Sequence, residues 1–350
     1  MGKLKFKGIG IEAIAAMIPS ERVVTLEQTS NFDTEHLQGF IAKTGIEERR
    51  VIDANHTSSD LCKGAAEMIF EANVIGKDEI DALVFVSQSP DYRIPSTSQL
   101  LQDRLGLKTD IYTLDINNAC SGYIWGLITA YSLCNSGFNN VLLCVGETPS
   151  KINSKTDSST SLMFGDAGSA SIIRKDEKFE DHFFSFNSDG SQLKAVYVPA
   201  GGFRTPSSAE TIAPYIDQEG NTKTLEQLHM DGLTVFSYSV RAMTKDTKSL
   251  LEYANYTLDD IDTVVLHQAN KFLNDKISKK LGIDDAKQIT SLKFFGNTSS
   301  ASIPLTMAFN ADKNFNNDRL LFSAIGAAFT WASAIVKMNG LKNLGVKELK

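Results

Sequence analysis

Asp115-Ile-Asn-Asn-Ala-Cys120-Ser-Gly-Tyr-Ile-Trp-Gly-Leu127 joins two patterns that decide the fold. Residues 113–116 read as the end of an apolar strand, and residues 123–135 as a helix. The junction sets a thiol in the first turn of that helix, where unpaired backbone N–H groups and the dipole favour the thiolate. Ala119, Ser121 and Gly122 are small and leave room for a substrate at the sulfur. A cysteine placed this way is either a nucleophile or a buried structural residue, and position alone leaves both readings open.

Working outward, the surroundings of this junction occur twice. Ile80-Asp-Ala-Leu-Val-Phe-Val-Ser-Gln-Ser89 resembles Ile261-Asp-Thr-Val-Val-Leu-His-Gln-Ala-Asn270. A helix follows each and ends alike, in Leu101-Gln-Asp-Arg-Leu-Gly-Leu107 and Ile277-Ser-Lys-Lys-Leu-Gly-Ile283. Next comes a strand and a small-residue turn into a helix, Asn118-Ala-Cys-Ser-Gly122 or Gly296-Asn-Thr-Ser-Ser300. A further apolar strand closes each unit, at residues 141–146 and 320–326. Four elements in one order, about 180 residues apart, indicate duplication. The alternation of strand and helix predicts an α/β fold with mostly parallel sheets covered by helices. The expected division is 1–175 for a first half carrying the cysteine, and 176–350 for a connecting excursion plus the second half.

Helices are expected at 34–44, 58–73 and 231–253. In the last, Leu233, Phe236, Val240, Met243, Leu250 and Leu251 form an apolar stripe that reads as core packing. Residues 175–227 are polar and rich in Ser, Gly, Pro and Thr. They read as a long connection with a strand near 195–199, a kind of segment that often touches substrate.

The 350 residues are 42% hydrophobic and 22% charged, with a formal charge of -7. That balance indicates an ordinary globular protein and argues against nucleic acid as a partner. The four cysteines, at 62, 120, 134 and 144, lack metal spacing and suit a reducing cytoplasm. The basic N-terminus has no long apolar stretch, so no signal peptide is expected, and no apolar run is long enough to span a membrane.

Two residues in the second half are candidates to serve Cys120. His267 closes a strand, and Asn297 lies in the turn that mirrors the cysteine's own. In open α/β sheets ligands gather at the carboxyl ends of strands, where all three fall. An imidazole stabilises a thiolate or handles its proton, and an amide donor stabilises an oxyanion. His36 and His56 read as exposed, and His182 and His229 as surface or capping residues. Cys134 and Cys144 read as core, and Cys62 as near a helix start and open to exposure. The turn in Ser323-Ala-Ile-Gly-Ala-Ala-Phe-Thr-Trp-Ala332 is either a steric hairpin or a source of a backbone N–H that pairs with that of Cys120 as an oxyanion hole.

Asn118-Ala-Cys-Ser-Gly122, His267-Gln-Ala-Asn270, Gly296-Asn-Thr-Ser-Ser-Ala-Ser-Ile-Pro304 and Phe329-Thr-Trp331 together resemble the β-ketoacyl-ACP synthase III family of thiolase-fold condensing enzymes. So do Lys43-Thr-Gly-Ile-Glu-Glu-Arg49, Pro90-Asp-Tyr-Arg-Ile-Pro-Ser-Thr97 and Phe164-Gly-Asp166. The resemblance implies a thiolase-like fold of duplicated α/β halves in five αβαβα layers, and a homodimer. It implies that Cys120 takes an acyl group from a thioester donor, acyl-CoA or acyl-ACP. A malonyl group on an acyl carrier protein then loses CO2, and its enolate, held by His267 and Asn297, attacks the acyl-Cys. The N–H groups of Cys120 and Ala327 would hold the tetrahedral oxyanion. No metal or redox cofactor is implied.

The family's usual adenine clamp, a Trp and an Arg, falls on Gly39 and Ser158 here, and the turn before Phe329 is Gly326-Ala-Ala328. A basic residue common after the His-Gln-Ala-Asn motif is Phe272. Lys271, Lys276, Lys279 and Lys280 still make the following helix basic and open to an acidic carrier protein or simply to solvent. Ile94 and residues 203–215 are candidates to shape the acyl pocket. Two rival readings stay open at this point. One is acyl transfer from Cys120 to an oxygen or nitrogen; the other is a non-catalytic partner subunit.

Overall fold

The structure, a computed structural model, describes residues 2–350. Two sheets form its frame. The first has the strand order Lys342–Glu348, Ile9–Ile18, Ala167–Lys175, Asn140–Glu147, Ala82–Val86, Tyr112–Ile116. The second runs Gly2–Phe6, His182–Ser188, Thr330–Lys337, Arg319–Gly326, Thr263–Leu266. The strands that repeat in sequence hold equivalent places. Ala82–Val86 lies parallel to Asn140–Glu147, as Thr263–Leu266 lies parallel to Arg319–Gly326. Each pair then continues into an antiparallel neighbour, Ala167–Lys175 or Thr330–Lys337. The first strand of the chain sits in the second sheet and the last strand in the first, so each half lends the other an edge.

Apolar faces sort the helices into three layers, which with the two sheets make five. Gly122–Asn135 lies between the sheets, where Tyr123, Ile124, Leu127 and Tyr131 pack with Val84 and Leu143 on one side and Phe184 and Phe322 on the other. A helix flanked by two sheets must be apolar nearly all round, and this one is. Ser302–Phe309 joins it there through Ile303 and Met307. Ser58–Glu71 and Thr97–Arg104 cover the outer face of the first sheet. Gly232–Ala254 and Lys271–Leu281 cover that of the second. The αβαβα arrangement is the expected one, and no helix among the described residues is long and apolar enough to cross a membrane.

Several local expectations change. Among the described residues the second half has no strand between Lys271–Leu281 and Gly296. Gln288 makes a single bridge to Val264, and Leu292–Phe295 is a short helix. The 195–199 strand shrinks to Val196–Tyr197, paired with His229–Met230. Cys62 is buried, because it lies on the sheet-facing side of its helix beside Gly146. In the long helix Val240, Met243, Leu250 and Leu251 are core, but Leu233 is 84% exposed.

His182 is also not at the surface. It lies at the centre of an aromatic group in which Phe6, Tyr131 and Phe184 meet edge to face, with centroids 5.0–5.7 Å apart. Such pairs add about 1 kcal/mol each beyond their buried area. The Tyr131 hydroxyl lies 2.9 Å from Nδ1, and Nε2 donates to the Lys337 carbonyl at 3.0 Å, so the neutral ring is satisfied on both sides. Burial pushes its pKa down to about 4, whereas the unfolded ring titrates near 6.5. This contribution to stability is therefore complete above pH about 6.5 and lost as pH falls through about 4. A loss of about 3 kcal/mol in urea unfolding between neutral pH and that acid limit is expected from this ring. His182→Asn flattens that part of the pH dependence.

Candidate active site

Cys120 lies in the junction between Tyr112–Ile116 and Gly122–Asn135, partly exposed on the wall of a cavity of about 900 Å³. His267 and Asn297 line the same cavity, so the two halves deliver the three residues to one place. His267 directly follows Thr263–Leu266, and its N–H donates to the Ser323 carbonyl at 2.9 Å. Asn297 is fixed by its N–H to the Met163 carbonyl at 2.9 Å and by its carbonyl to the Gly165 N–H at 3.1 Å. Gly296 before it has φ +61, and a Cβ there would lie 2.6 Å from the Met163 oxygen, so the turn requires glycine. The Asn297 Oδ1 accepts the Ser299 N–H at 2.9 Å. Its NH2 group has no protein acceptor among the described residues and remains a donor for the cavity.

The charge state differs from the one read in the sequence. Burial pushes the Cys120 thiol up to about 12; the Ser299 hydroxyl, 3.7 Å from Sγ, pulls it back and the Glu147 carboxyl pushes it further. A helix N-terminus contributes at most about 2 kcal/mol, or roughly 1.5 pKa units, to holding a thiolate. That is less than the rise from 9.0 to about 12, so the resting group is the thiol. His267 is 3% exposed, and burial pushes it down to about 3, so it is neutral at physiological pH. Its Nδ1 lies 2.7 Å from Ser302 Oγ. That oxygen accepts the Gln268 N–H at 3.3 Å, which frees its own proton for Nδ1. We assign the Ser302 proton to Nδ1, which puts the ring proton on Nε2 and makes His267 a neutral donor.

The turn after Arg319–Gly326 comes up against the cysteine backbone. A Cβ on Gly326 would lie 2.7 Å from the Cys120 nitrogen and 2.8 Å from the Ala119 Cβ. Ala327 follows and lines the cavity beside Cys120. Ala328 and Phe329 have φ of 51 and 40, a left-handed pair held by stacking of Phe329 on Tyr238, with centroids 4.0 Å apart. Gly326→Ala is expected to displace the Cys120 backbone and slow acylation of the thiol by about 10-fold or more, since misplacement by about 1 Å costs this much or more. Mass spectrometry of the acylated protein measures it.

Of the other sequence candidates, Ser158 and Phe272 line the cavity and the rest do not. Ile94 is 83% and Phe203 85% exposed, and neither lines it in the single chain. Lys271, Lys276, Lys279 and Lys280 are all exposed. Lys271 pairs with Asp275, whereas Lys279 and Lys280 sit in the last helical turn, where the dipole favours cations. The helix begins at the cavity, where Asn270, Phe272 and Leu273 line the wall. A side chain at Gly39 would meet nothing within 4 Å, and Ser158 bonds Asn221. The sequence reading passed over Glu147, Ser299 and Ser302. Glu147 had a legible signal, a carboxylate at the carboxyl end of an otherwise apolar strand.

Residues 114–190 match the family profile of 3-oxoacyl-[acyl-carrier-protein] synthase III, and residues 251–338 match that of its C-terminal part. The chain is 35% identical over 337 residues to the β-ketoacyl-[acyl-carrier-protein] synthase III of Campylobacter curvus, covering 94% of this chain and 96% of the relative. It is 32% identical to the protein of the same name from Aliarcobacter butzleri, covering 94% and 98%. A crystal structure of a 3-oxoacyl-(acyl-carrier protein) synthase from Burkholderia xenovorans superposes with a TM-score of 0.92 at 32% identity, covering 99% of both chains. A priming β-ketosynthase of the R1128 polyketide pathway shares the fold at 23% identity and a TM-score of 0.82.

Proposed function

The chain belongs to the 3-oxoacyl-[acyl-carrier-protein] synthase III family, and from that premise we propose that it joins an acyl group to a malonyl thioester through an acyl-Cys120 intermediate. It is an acyltransferase of the condensing type. The observation that carries the assignment of roles is the convergence of Cys120, His267 and Asn297 on one cavity. Cys120 Sγ attacks the donor thioester. The N–H groups of Cys120 and Ala327 receive the oxyanion. A malonyl thioester then enters and loses CO2, and its enolate oxygen takes hydrogen bonds from His267 Nε2–H and the Asn297 amide. Decarboxylation needs donors rather than a strong base, and a neutral His267 with its proton on Nε2 is such a donor. The enolate carbon attacks the acyl-Cys120 carbonyl, and collapse of the oxyanion expels Sγ.

The malonyl carrier is an acyl carrier protein, which we place at the cavity mouth near Lys43 and the basic helix with Lys271, Lys276, Lys279 and Lys280. Charge complementarity with an acidic carrier supports this side of the mouth. The acyl donor is an acyl-CoA or an acyl-ACP. We further propose a homodimer, supported by the exposed apolar side chains Tyr92, Ile94 and Phe203 on adjoining loops, where Arg93 lies over the Phe203 ring at 5.7 Å. Incubation with acyl donors and malonyl-ACP tests the reaction. Acyl mass on the Cys120 peptide, CO2 release and a β-ketoacyl product are expected. Acylation without CO2 release would instead point to transfer onto oxygen or nitrogen, and no acylation with any donor would overturn the reading.

A further inference from the structure

Among the described residues Glu147 is the only buried carboxylate on the cavity wall, and the condensation scheme leaves it without a task. It ends Asn140–Glu147 and is 2% exposed. Its hydrogen-bond partners are all neutral. Ser300 Oγ donates at 2.8 Å, the Gln88 N–H reaches both oxygens at 3.2 Å, and Ser89 Oγ donates at 3.2 Å. A buried carboxylate with no cationic partner is costly, which makes a purely structural role a poor use of it. Burial pushes it up to about 7, so it exchanges protons near physiological pH.

Ser299 stands between it and the nucleophile. The Ser299 hydroxyl lies 3.7 Å from Cys120 Sγ, and the next residue, Ser300, donates to the Glu147 carboxyl at 2.8 Å. Ser299 has φ +50, a conformation serine rarely adopts, and its N–H is tied to Asn297 Oδ1. Strain of this kind gathers where a side chain must be aimed.

We propose that Glu147, acting through the Ser299 hydroxyl, receives the Cys120 proton while the acyl group is loaded. The Sγ–H bond breaks as the bond from Sγ to the acyl carbon forms. Ser299 Oγ accepts that proton and passes its own to Glu147. The donor's C–S bond breaks, and its thiolate is reprotonated from Glu147 by the same route. Loading is thus proton-neutral and needs no co-reactant. His267 is a poor alternative acceptor, being the weaker base at about 3 and already carrying its proton on Nε2. The transfer also leaves one negative charge, rather than two, between Sγ and the carboxylate, which removes the repulsion that Glu147 exerts on the thiolate.

The titratable groups on the elements around Glu147 do not take its place. Cys62 on the adjoining helix is pushed well up and stays neutral. Asp91 is bonded by Ser59; Asp166, which burial pushes up to about 6, is bonded by Ser150 and the Ile52 N–H. His267 is neutral, and Cys120 is the group served.

The proposal rests on Cys120 being the acyl acceptor, and its test uses no acyl donor, so the two fail separately. Alkylation of Cys120 by iodoacetamide is followed by peptide mass spectrometry from about pH 5.5 to about pH 9 in the wild type, Glu147→Gln and Ser299→Ala. In the wild type the rate is expected to climb to a shoulder near 7, as Glu147 ionises. Both variants are expected to be slower at neutral pH by about 10²-fold and to lack the shoulder. If Glu147 only repelled the thiolate, Glu147→Gln would react as fast as the wild type or faster, and that outcome overturns the proposal. Thermal melting checks the fold of each variant. If Glu147→Gln does not fold, Ser299→Ala decides, because it cuts the route and leaves the Ser300, Gln88 and Ser89 bonds to the carboxylate.

Discussion

Cys120→Ala abolishes acyl-enzyme formation. Mass spectrometry with any donor shows no adduct, and condensation falls by about 10⁴-fold or more, as when a covalent nucleophile is removed. The other three cysteines cannot substitute, because Cys62, Cys134 and Cys144 are buried in the core. The cavity is otherwise intact, with the His267 and Asn297 donors still present. Release of CO2 from a malonyl thioester therefore persists in this variant, uncoupled from carbon–carbon bond formation. Loss of both activities together would mean that the thiol is also needed for decarboxylation, against the division of labour argued above.

His267→Ala separates the half-reactions the other way. Acyl loading on Cys120 is retained, because a neutral imidazole with Nε2 protonated does not take the thiol proton. Decarboxylation and condensation fall by about 10²- to 10³-fold, the usual loss for one oxyanion donor. Asn297→Ala is expected to behave alike, and the double variant to lose less than the product of the two, since both donors address one oxygen. His267→Ala also strands the Ser302 hydroxyl in a buried site, at a cost of about 1–3 kcal/mol in stability. Thermal melting keeps that loss apart from the kinetic one. A wild-type rate of CO2 release in His267→Ala would remove the residue from the mechanism.

The parts of this site legible in the sequence share a cause. Cys120, His267 and Asn297 each end a local pattern, a strand or a turn, and duplication offers a reason for the ends to meet. Glu147 has a comparable position at the end of an apolar strand, but its burial and its hydroxyl and N–H partners are set by residues distant in the chain. Ser299 and Ser302 were two serines in a small-residue run, and their roles depend on partners 179 and 35 residues away in the chain. His182, beside Phe183 and Phe184 near the mid-chain loop, read as a surface or capping residue. Its burial comes from the facing strand and from Tyr131, neither of which is adjacent in sequence.

By itself the sequence determined the repeat of strand and helix, and with it the pairing of two α/β halves. It also determined the helix between the sheets, whose residues are apolar on nearly every side. Both follow from short-range periodicity and residue type, whereas Cys120, His267 and Asn297 were candidates by position, and only the family resemblance that joined their motifs made them a nucleophile and two donors. The tertiary structure alone decided the protonation of the site. Helix position argued for a thiolate at Cys120. Burial outweighs the dipole and leaves a thiol at about 12, facing a carboxylate at about 7 and an imidazole at about 3. Desolvation depends on everything packed around a group, and that set is assembled only when the two halves close on each other.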